Sequence, residues 1–515
     1  MLAAVRSAAV LGIDAYDVTV EVDASLGLPN WTLVGLPAGA VKESRERVSA
    51  AMLNSGFYLP PRRITVNLAP ADMRKEGTAF DLPIALGLLA ATGQIDGDSL
   101  IGVRAVGELG LDGAIRPVRG TLPVARHFAR ERDGEGATTL VVPPGNVHEA
   151  RLVSGVRLSA PPTLRELVMQ LRMRQLVEAR AGPAPPPAPV DQLAPDLQDV
   201  IGQEAAKRAL EVAAAGNHGL ALIGPPGAGK TLLARCMPAV LPALIEHETL
   251  EVIAIQSVAG VLATDRPPNP ERPFRAPHHT ISAAGLIGGG SQPRPGEVSL
   301  AHLGVLFLDE MLEFPRYTLD ALRQPMEDGH VIIARAAGSV RFPARFTLVG
   351  AMNPCPCGHA GDPTGRCTCS APDILRYRAR LSGPLADRID LHVTVGAVPV
   401  RQLGAPNGAP RGESSAAVRA RVECARERQR RRYTGLDPML SNGRIPGRWL
   451  ETRTRIDAEA RELLASAAER LGLSARGYHR VLRVARTIAD LDGEDAVRAL
   501  CVAEALRYRP VRADG

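Results

Sequence analysis

In "YDVTVEVDASLG" and "RRITVNLAP" apolar residues alternate with polar ones, the period of a strand with one buried face. "AVKESRERVSAAMLNSG" and "DLPIALGLLAATGQ" abandon that alternation and read as helices closed by Gly. The first region is therefore a mixed α/β domain. Further on, short apolar runs such as "GLALIG" and "GVLFLD" alternate with helical segments, the signature of a parallel sheet with crossover helices. After residue 415 the pattern is helical almost everywhere, and no internal repeat is visible.

Two breaks divide the chain. "AGPAPPPAPVDQLAP" (181–195) is Pro-rich and expected to be extended, and "GAPNGAPRGESS" (404–415) has turn chemistry throughout. These give an α/β domain over 1–175, a linker over 176–195, a parallel-sheet core over 196–402, a loop over 403–415 and a helical region over 416–515.

Composition adds limits. A chain of 515 residues holds two to four domains, and 45% hydrophobic content with only 3% aromatics means cores of Ala, Val, Leu and Ile. The balance of 61 basic against 55 acidic residues gives +6, which permits a polyanionic partner without requiring one. Only Lys42, Lys75, Lys207 and Lys230 are lysines, so the basic charge is almost all Arg. No apolar run reaches the 18 residues of a membrane span, and "SAAVLGI" is too short for a secretory signal, so a cytoplasmic protein without membrane contact is expected. Clustered cysteines there act as thiols or metal ligands.

The strongest chemical signal is "LALIGPPGAGKTLLARCM": a buried strand, then Gly224, Pro225, Pro226, Gly227, Ala228, Gly229, Lys230 and Thr231, then a helix start. Such a loop turns backbone N–H groups onto phosphate oxygens, its lysine supplies charge to the β and γ phosphates, and its Thr hydroxyl ligates Mg²⁺. Downstream, "HLGVLFLDEM" ends a strand in Asp309, suited to holding Mg²⁺, and Glu310, suited to orienting and deprotonating water. A further strand, "RFTLVGAMNP", ends in Asn353, which either senses the γ-phosphate, positions water or caps the next loop. In "RLSGPLADRIDLHV", Arg388 lies between Asp387 and Asp390 and is either salt-bridged structure or an arginine finger.

With "VIGQEAAKRALEVAAAGNHGLALIGPPGAGKT", "RAPHHTIS", "PGEVSLAHLGVLFLDE" and "SGPLADRIDLHV" in this order, the middle region resembles AAA+ ATPases of the magnesium-chelatase clade. The whole chain resembles the YifB/ComM group within it, the competence-associated branch-migration helicases. That resemblance implies a Lon-protease-like (ribosomal S5 domain 2-like) N-terminal domain, an AAA+ P-loop core and a helical C-terminal lid. It makes Gly224–Thr231 the Walker A loop, Asp309 and Glu310 Walker B, Asn353 sensor 1 and Arg388 the finger. In "LSARGYHRVLRVARTIADL" Arg476 becomes the sensor 2 candidate, with Arg480 as the alternative. It also implies ATP and Mg²⁺ as ligands, a homo-oligomer, usually a hexamer, and single-stranded or branched DNA as partner. A chelatase-type or chaperone-like ATPase acting on a metal cofactor or protein is the alternative.

"APADMRKEGTAFDLPIAL" resembles the Lon segment that carries the nucleophilic Ser, yet that place is Ala79, and Leu122 stands where the partner lysine is expected. Thr78 has no evident base in the sequence. No peptidase activity is expected, and Lys75, a lysine in a chain that uses Arg nearly everywhere, is either a required compact ammonium or, by default, a solvated surface lysine.

Three segments face outward questions. "VIIARAAGSVRFPARF" (331–346) reads as a hairpin turning near Ala337 and Gly338, with Arg335 and Arg341 as candidate DNA-phosphate contacts. His278 and His279 in a Gly-rich insertion either bind DNA or pack and cap. The helix "AAVRARVECARERQRRRY" carries seven Arg, either along DNA or on a solvated or subunit-facing surface. Lastly, Cys355, Cys357, Cys367 and Cys369 form C-x-C-x9-C-x-C, enough thiolates for a tetrahedral Zn²⁺. The alternatives are free thiols, a redox switch or an iron–sulfur cluster. A structural zinc there is expected to order the segment between Asn353 and Arg388 at a subunit interface.

Overall fold

Strands β1 (Leu2–Leu11) and β2 (Asp14–Ser25) form a long antiparallel hairpin in which Val18, Val20, Val22 and Ala24 are buried and the intervening residues are not. That is the alternation seen in the sequence, now aimed at a core. A computed structural model describes residues 2–131, 138–179, 195–264, 266–269, 271–290, 293–335, 338–361, 365–397, 412–436 and 440–509. The Pro-rich stretch up to residue 194, residues 404–411 of the second loop, and Ala337 at the expected hairpin turn lie outside the described residues.

With β3 (Asn30–Val34), β4 (Arg63–Ala69), β5 (Val103–Ala105), β6 (Thr139–Val141) and β7 (Arg157–Ser159), the hairpin builds a mixed sheet in the order β3-β4-β2-β1-β5-β6-β7. Helix α1 (Asp81–Ala91) is buried along its whole length against β1 and β2. Helix α2 (Thr121–Arg130) crosses the sheet with a strongly one-sided apolar face.

The second sheet is wholly parallel. Its strands are β8 (Leu220–Ile223), β9 (Phe274–Arg275), β10 (Val305–Leu308), β13 (Thr347–Met352) and β14 (Leu391–Thr394), with the hairpin β11 (His330–Arg335) and β12 (Gly338–Pro343) inserted before β13. The order is β9-β10-β13-β8-β14. Parallel sheets are covered on both faces, which is why β8 (LALI) and β10 (VLFL) are continuous apolar runs. Leu220, Leu222, Phe307 and Val349 face a core shared with the C-terminal helices. Ala221, Leu306, Leu308 and Leu348 face Val331, Ile333, Val340 and Phe342 of the inserted hairpin.

Helices α3 (Glu204–Gly216), α4 (Lys230–Val240) and α5 (Glu246–Ala259) belong to this core, and α6 (Ala371–Arg378) follows the cysteine segment. The C-terminal helices are α7 (Ser415–Arg432), α8 (Ala458–Arg470), α9 (Ala475–Leu491) and α10 (Ala499–Arg507). Buried polar contacts tie them to the sheet: His218 Nδ1 lies 2.9 Å from Asp390 Oδ2, and its Nε2 lies 2.8 Å from Thr487 Oγ1 on α9. The N-terminal domain docks through Leu122, buried with Ile253 and Ala254 of α5. Gly12 makes a second contact, because a Cβ there would stand 2.9 Å from the Arg341 carbonyl on β12. No helix among the described residues is long and apolar enough to cross a membrane.

Candidate nucleotide site

Strand β8 ends at Ile223, and the chain turns through Gly224–Gly229 into α4. Two glycines are required by geometry. Gly224 runs so close to β14's end that a Cβ would lie 2.1 Å from the Val395 carbonyl, and Gly229 holds a left-handed φ of +87° immediately before the first helical residue. Lys230 therefore begins α4 and folds back over the loop. Its Nζ donates to the Gly224 carbonyl at 2.7 Å, the Pro225 carbonyl at 2.9 Å and Asn353 Oδ1 at 3.2 Å. Burial lowers its pKa, while the Asp309 and Glu310 carboxylates pull it back up.

The strand order explains who meets Lys230. Because β13 lies between β8 and β10, its last residues deliver Asn353 beside the loop, while β10 delivers Asp309 one strand further out. Thr231 Oγ1 donates to Asp309 Oδ2 at 2.9 Å, so two hard oxygen donors face each other at the loop mouth, a donor pair that fits Mg²⁺. Glu310 is held in a left-handed conformation, φ 49°, which non-Gly residues adopt at a cost and which occurs at functional sites. Its carboxylate is exposed, and His279 Nδ1 lies 3.6 Å from its Oε2. The His278 ring stacks on His279 at 4.1 Å and turns to Thr280. Sequence reading left these histidines between DNA and packing; one of them reaches the carboxylate expected to orient water.

Arg388 is not at this loop. Its backbone runs beside Gly219, at the start of β8, and its guanidinium pairs with Glu327 and donates to the Pro384 carbonyl at 2.6 Å. Five extended residue steps lead from Gly219 to Gly224, about 16 Å. Arg480 is buried on α9 with Nη2 3.4 Å from Asp387 Oδ1, whereas Arg476, one turn earlier, is exposed.

The four cysteines converge. Cys355, Cys357 and Cys367 sulfurs form a triangle with sides of 3.3, 3.7 and 3.8 Å, and all four lie within 4.8 Å of one another. The Ala360 N–H donates to Cys355 Sγ at 3.2 Å. Backbone N–H groups of His359 and Thr368 bring the Cys357 thiol down to about 6.

The inserted hairpin is two-faced: Val331, Ile333, Val340 and Phe342 are buried, whereas Ile332 and Arg341 are exposed. Arg341 Nη2 lies 3.1 Å from His330 Nδ1. Arg335 closes strand β11 opposite Gly338. The Arg-rich helix α7 differs from a free basic surface. Arg419 and Arg426 donate to the Ala239 and Ala214 carbonyls, Arg421 pairs with Glu211 and Glu413, and Arg432 pairs with Asp490. Arg428 reaches Asp495, and Arg430 and Arg431 share Glu427.

In the N-terminal domain Thr78 and Ala79 line a cavity of about 660 Å³ whose lining also includes Ser339 and Val340 of the hairpin. Thr78 does have a carboxylate partner, Glu108, which the sequence did not reveal. Lys75 corrects the surface reading: it is 0% exposed, its backbone is bonded to Leu36 and Ala38, and its Nζ donates to the Met73 carbonyl at 2.8 Å.

Three family models match the chain: "Magnesium chelatase, subunit ChlI" over residues 196–403, "Subunit ChlI of Mg-chelatase" over 20–146, and the "Magnesium chelatase, subunit ChlI C-terminal" model over 412–509. Among curated proteins, YifB of Escherichia coli K12 is 43% identical over 510 residues, covering 99% of this chain and 97% of its own. Competence protein ComM of Haemophilus influenzae is 44% identical over 514 residues, with the same coverage. The magnesium-chelatase 38 kDa subunit of Rhodobacter capsulatus is 30% identical over 171 residues, covering 30% of this chain and 49% of its own.

Proposed function

The chain belongs to the YifB/ComM family of magnesium-chelatase-like proteins, and from that premise we propose that it is an AAA+ ATPase driving DNA branch migration or unwinding in recombination and natural transformation. One observation carries the reading: Lys230, Thr231, Asp309 and Asn353 meet at the ends of three adjacent parallel strands, around a loop shaped for phosphate. Lys230 offsets the charge that develops on the transferred phosphoryl oxygens. Glu310 orients water and accepts its proton, and Asn353 reads the γ-phosphate through the contact it already makes with Lys230. Thr231 and Asp309 would hold Mg²⁺, which supplies charge neutralisation at the phosphates.

In this reading Arg388 serves a neighbouring copy. Its place at the opposite end of β8 leaves it out of reach of its own loop, and a ring of copies, a hexamer in this family, brings finger to phosphate. Arg480, paired to Asp387, lies on the same side as Arg388, with Arg476 one turn away. DNA is the proposed track, with Arg335 and Arg341 on the inserted hairpin as its phosphate contacts; Arg419, Arg421, Arg426 and Arg432 of α7 are engaged by the core and the C-terminal helices instead. The N-terminal domain, Lon-like in this reading, acts through docking and not peptide hydrolysis, since Ala79 carries no nucleophile and Leu122 is a buried docking contact.

The test is steady-state ATP hydrolysis with and without single-stranded and forked DNA, with Lys230→Ala as blank. Several-fold stimulation that vanishes in the variant is expected. Robust hydrolysis indifferent to every DNA tried would overturn the DNA reading in favour of a protein or cofactor client.

A further inference from the structure

Zinc–sulfur bonds of about 2.3 Å at tetrahedral angles put the four sulfurs of a Zn(Cys)₄ centre about 3.8 Å apart. The triangle formed by Cys355, Cys357 and Cys367, with sides of 3.3 to 3.8 Å, has that scale, and Cys369 falls within the same 4.8 Å cluster. Pairwise disulfides would instead bring sulfurs to about 2.05 Å two by two; here one sulfur is near-equidistant from several. Structural metal sites also carry N–H donors to their sulfurs, which fix the ligands and offset their charge. Ala360 N–H fills that role for Cys355.

The cluster also touches the nucleotide loop. Gly358 sits in the turn between the two cysteine pairs, its N–H bonded to the Cys355 carbonyl at 3.0 Å and its φ at +82°. A Cβ added there would stand 2.7 Å from Pro226 Cδ and 3.0 Å from its Cγ, so this backbone is pressed onto the phosphate loop of its own chain. Pro226 follows the two carbonyls that hold Lys230 Nζ. The segment also begins two residues after Asn353 and is anchored by Arg378 Nε to the Pro354 carbonyl at 3.2 Å. Without a staple, such a Gly- and Pro-rich turn has little apolar surface with which to hold that position.

We propose that Cys355, Cys357, Cys367 and Cys369 bind one structural Zn²⁺, and that this centre clamps Gly358 against Pro226 so that the phosphate loop is preformed for nucleotide. The thiol protons leave on binding, four sulfurs fill the coordination sphere, and no position stays open for chemistry. The clamp acts within one chain, on the phosphate loop, in addition to any effect at a subunit interface. The metal stands independently of the proposed ATPase; the clamp rests on it.

Full-length protein purified anaerobically is the material. Elemental analysis should give about one zinc per chain, released in step with mercurial titration of four thiols. Cys367→Ser should lose the metal, and Cys424→Ser, at an exposed site away from the cluster, should keep it. Binding of a fluorescent ADP should weaken several-fold when zinc is stripped and recover on adding zinc alone. Gly358→Ala should keep its zinc yet bind ADP several-fold more weakly, which separates the clamp from a general loss of fold. Protein with seven free thiols and no zinc, or with stoichiometric iron, overturns the zinc site. Zinc-loaded Gly358→Ala with wild-type ADP affinity overturns the clamp. Wild-type protein that holds zinc but binds no nucleotide overturns the ATPase reading and the clamp with it, and leaves the metal site supported.

Discussion

Two loops in this molecule have the same outline: a strand ends, a polar loop follows, and a buried helix begins. In the core, β8 leads through Gly224–Gly229 into α4, and the loop's charged groups find one another across three strands. In the N-terminal domain, β4 leads through residues 70–80 into α1, but the loop ends in Ala79, and the nearby Thr78 hydroxyl is taken up by Glu108. Strand–loop–helix geometry thus offers a place for chemistry without supplying it. The contrast extends to the partner residue. Lys230 lies under its loop with three acceptors, whereas Leu122, where a lysine was expected, is packed on Ile253 and Ala254 of α5. One site spends its buried positions on charge, the other on docking.

The largest effect that tests this contrast is at Lys230. Lys230→Ala should lower kcat for ATP by about 10²–10³, the scale for removing one preorganised charge-stabilising group, in a coupled hydrolysis assay. Ala79→Ser should leave that rate unchanged and produce no cleavage of unfolded casein. Casein cleavage by Ala79→Ser would break the comparison outright. Glu310→Gln separates binding from chemistry within the core site: kcat should fall by about 10²–10⁴ as a general base is removed, with nucleotide affinity, measured by calorimetry, retained.

Next in size is the docking contact. Leu122 is 0% exposed, so Leu122→Ala should destabilise the chain by about 2–5 kcal/mol in denaturant unfolding, the range for buried Leu→Ala changes. If the N-terminal domain and core undock as a first step, the loss appears in an early transition and ATP hydrolysis survives it. A loss within about 0.5 kcal/mol would mean that Leu122 is not a docking contact in solution.

The glycine-rich loop, the strand-end acids and the individual strands were legible because each depends on residues adjacent in sequence. Asn353 was legible as a strand-end amide, but its contact with Lys230, 123 residues away, follows only from β13 being inserted between β8 and β10. At Lys75 the default of a solvated lysine outweighed the hint in its rarity, yet its backbone is drawn into pairing with Leu36 and Ala38, and the side chain is buried with it. Arg419, Arg421, Arg426 and Arg432 of α7 read as part of a basic face, but α3, α4 and α9 pack against that helix and their carbonyls and carboxylates take up these four side chains. Tertiary neighbours set these outcomes, and no local pattern encodes them.

The smallest expected effect sharpens the comparison at its most sensitive point, the partner of Glu310. Nothing in "RAPHHTIS" assigns different work to its two histidines, but only His279 faces Glu310, at 3.6 Å, while His278 turns to Thr280. At that separation the contact is longer than a hydrogen bond, and with both groups partly solvated its worth is at most about 0.2–1 kcal/mol. If Glu310 orients water as proposed, a carboxylate held toward His279 is drawn from that water, so His279→Ala should raise kcat without DNA by up to about fivefold, the rate equivalent of that energy. KM should stay constant, because neither histidine is among the groups that hold Lys230, which are Gly224, Pro225 and Asn353. His278→Ala is the control and should leave kcat unchanged. A fall in kcat on removing His279, or an equal response at both positions, would show that His279 supports Glu310 through its packing on Phe314 and not through its contact with the carboxylate.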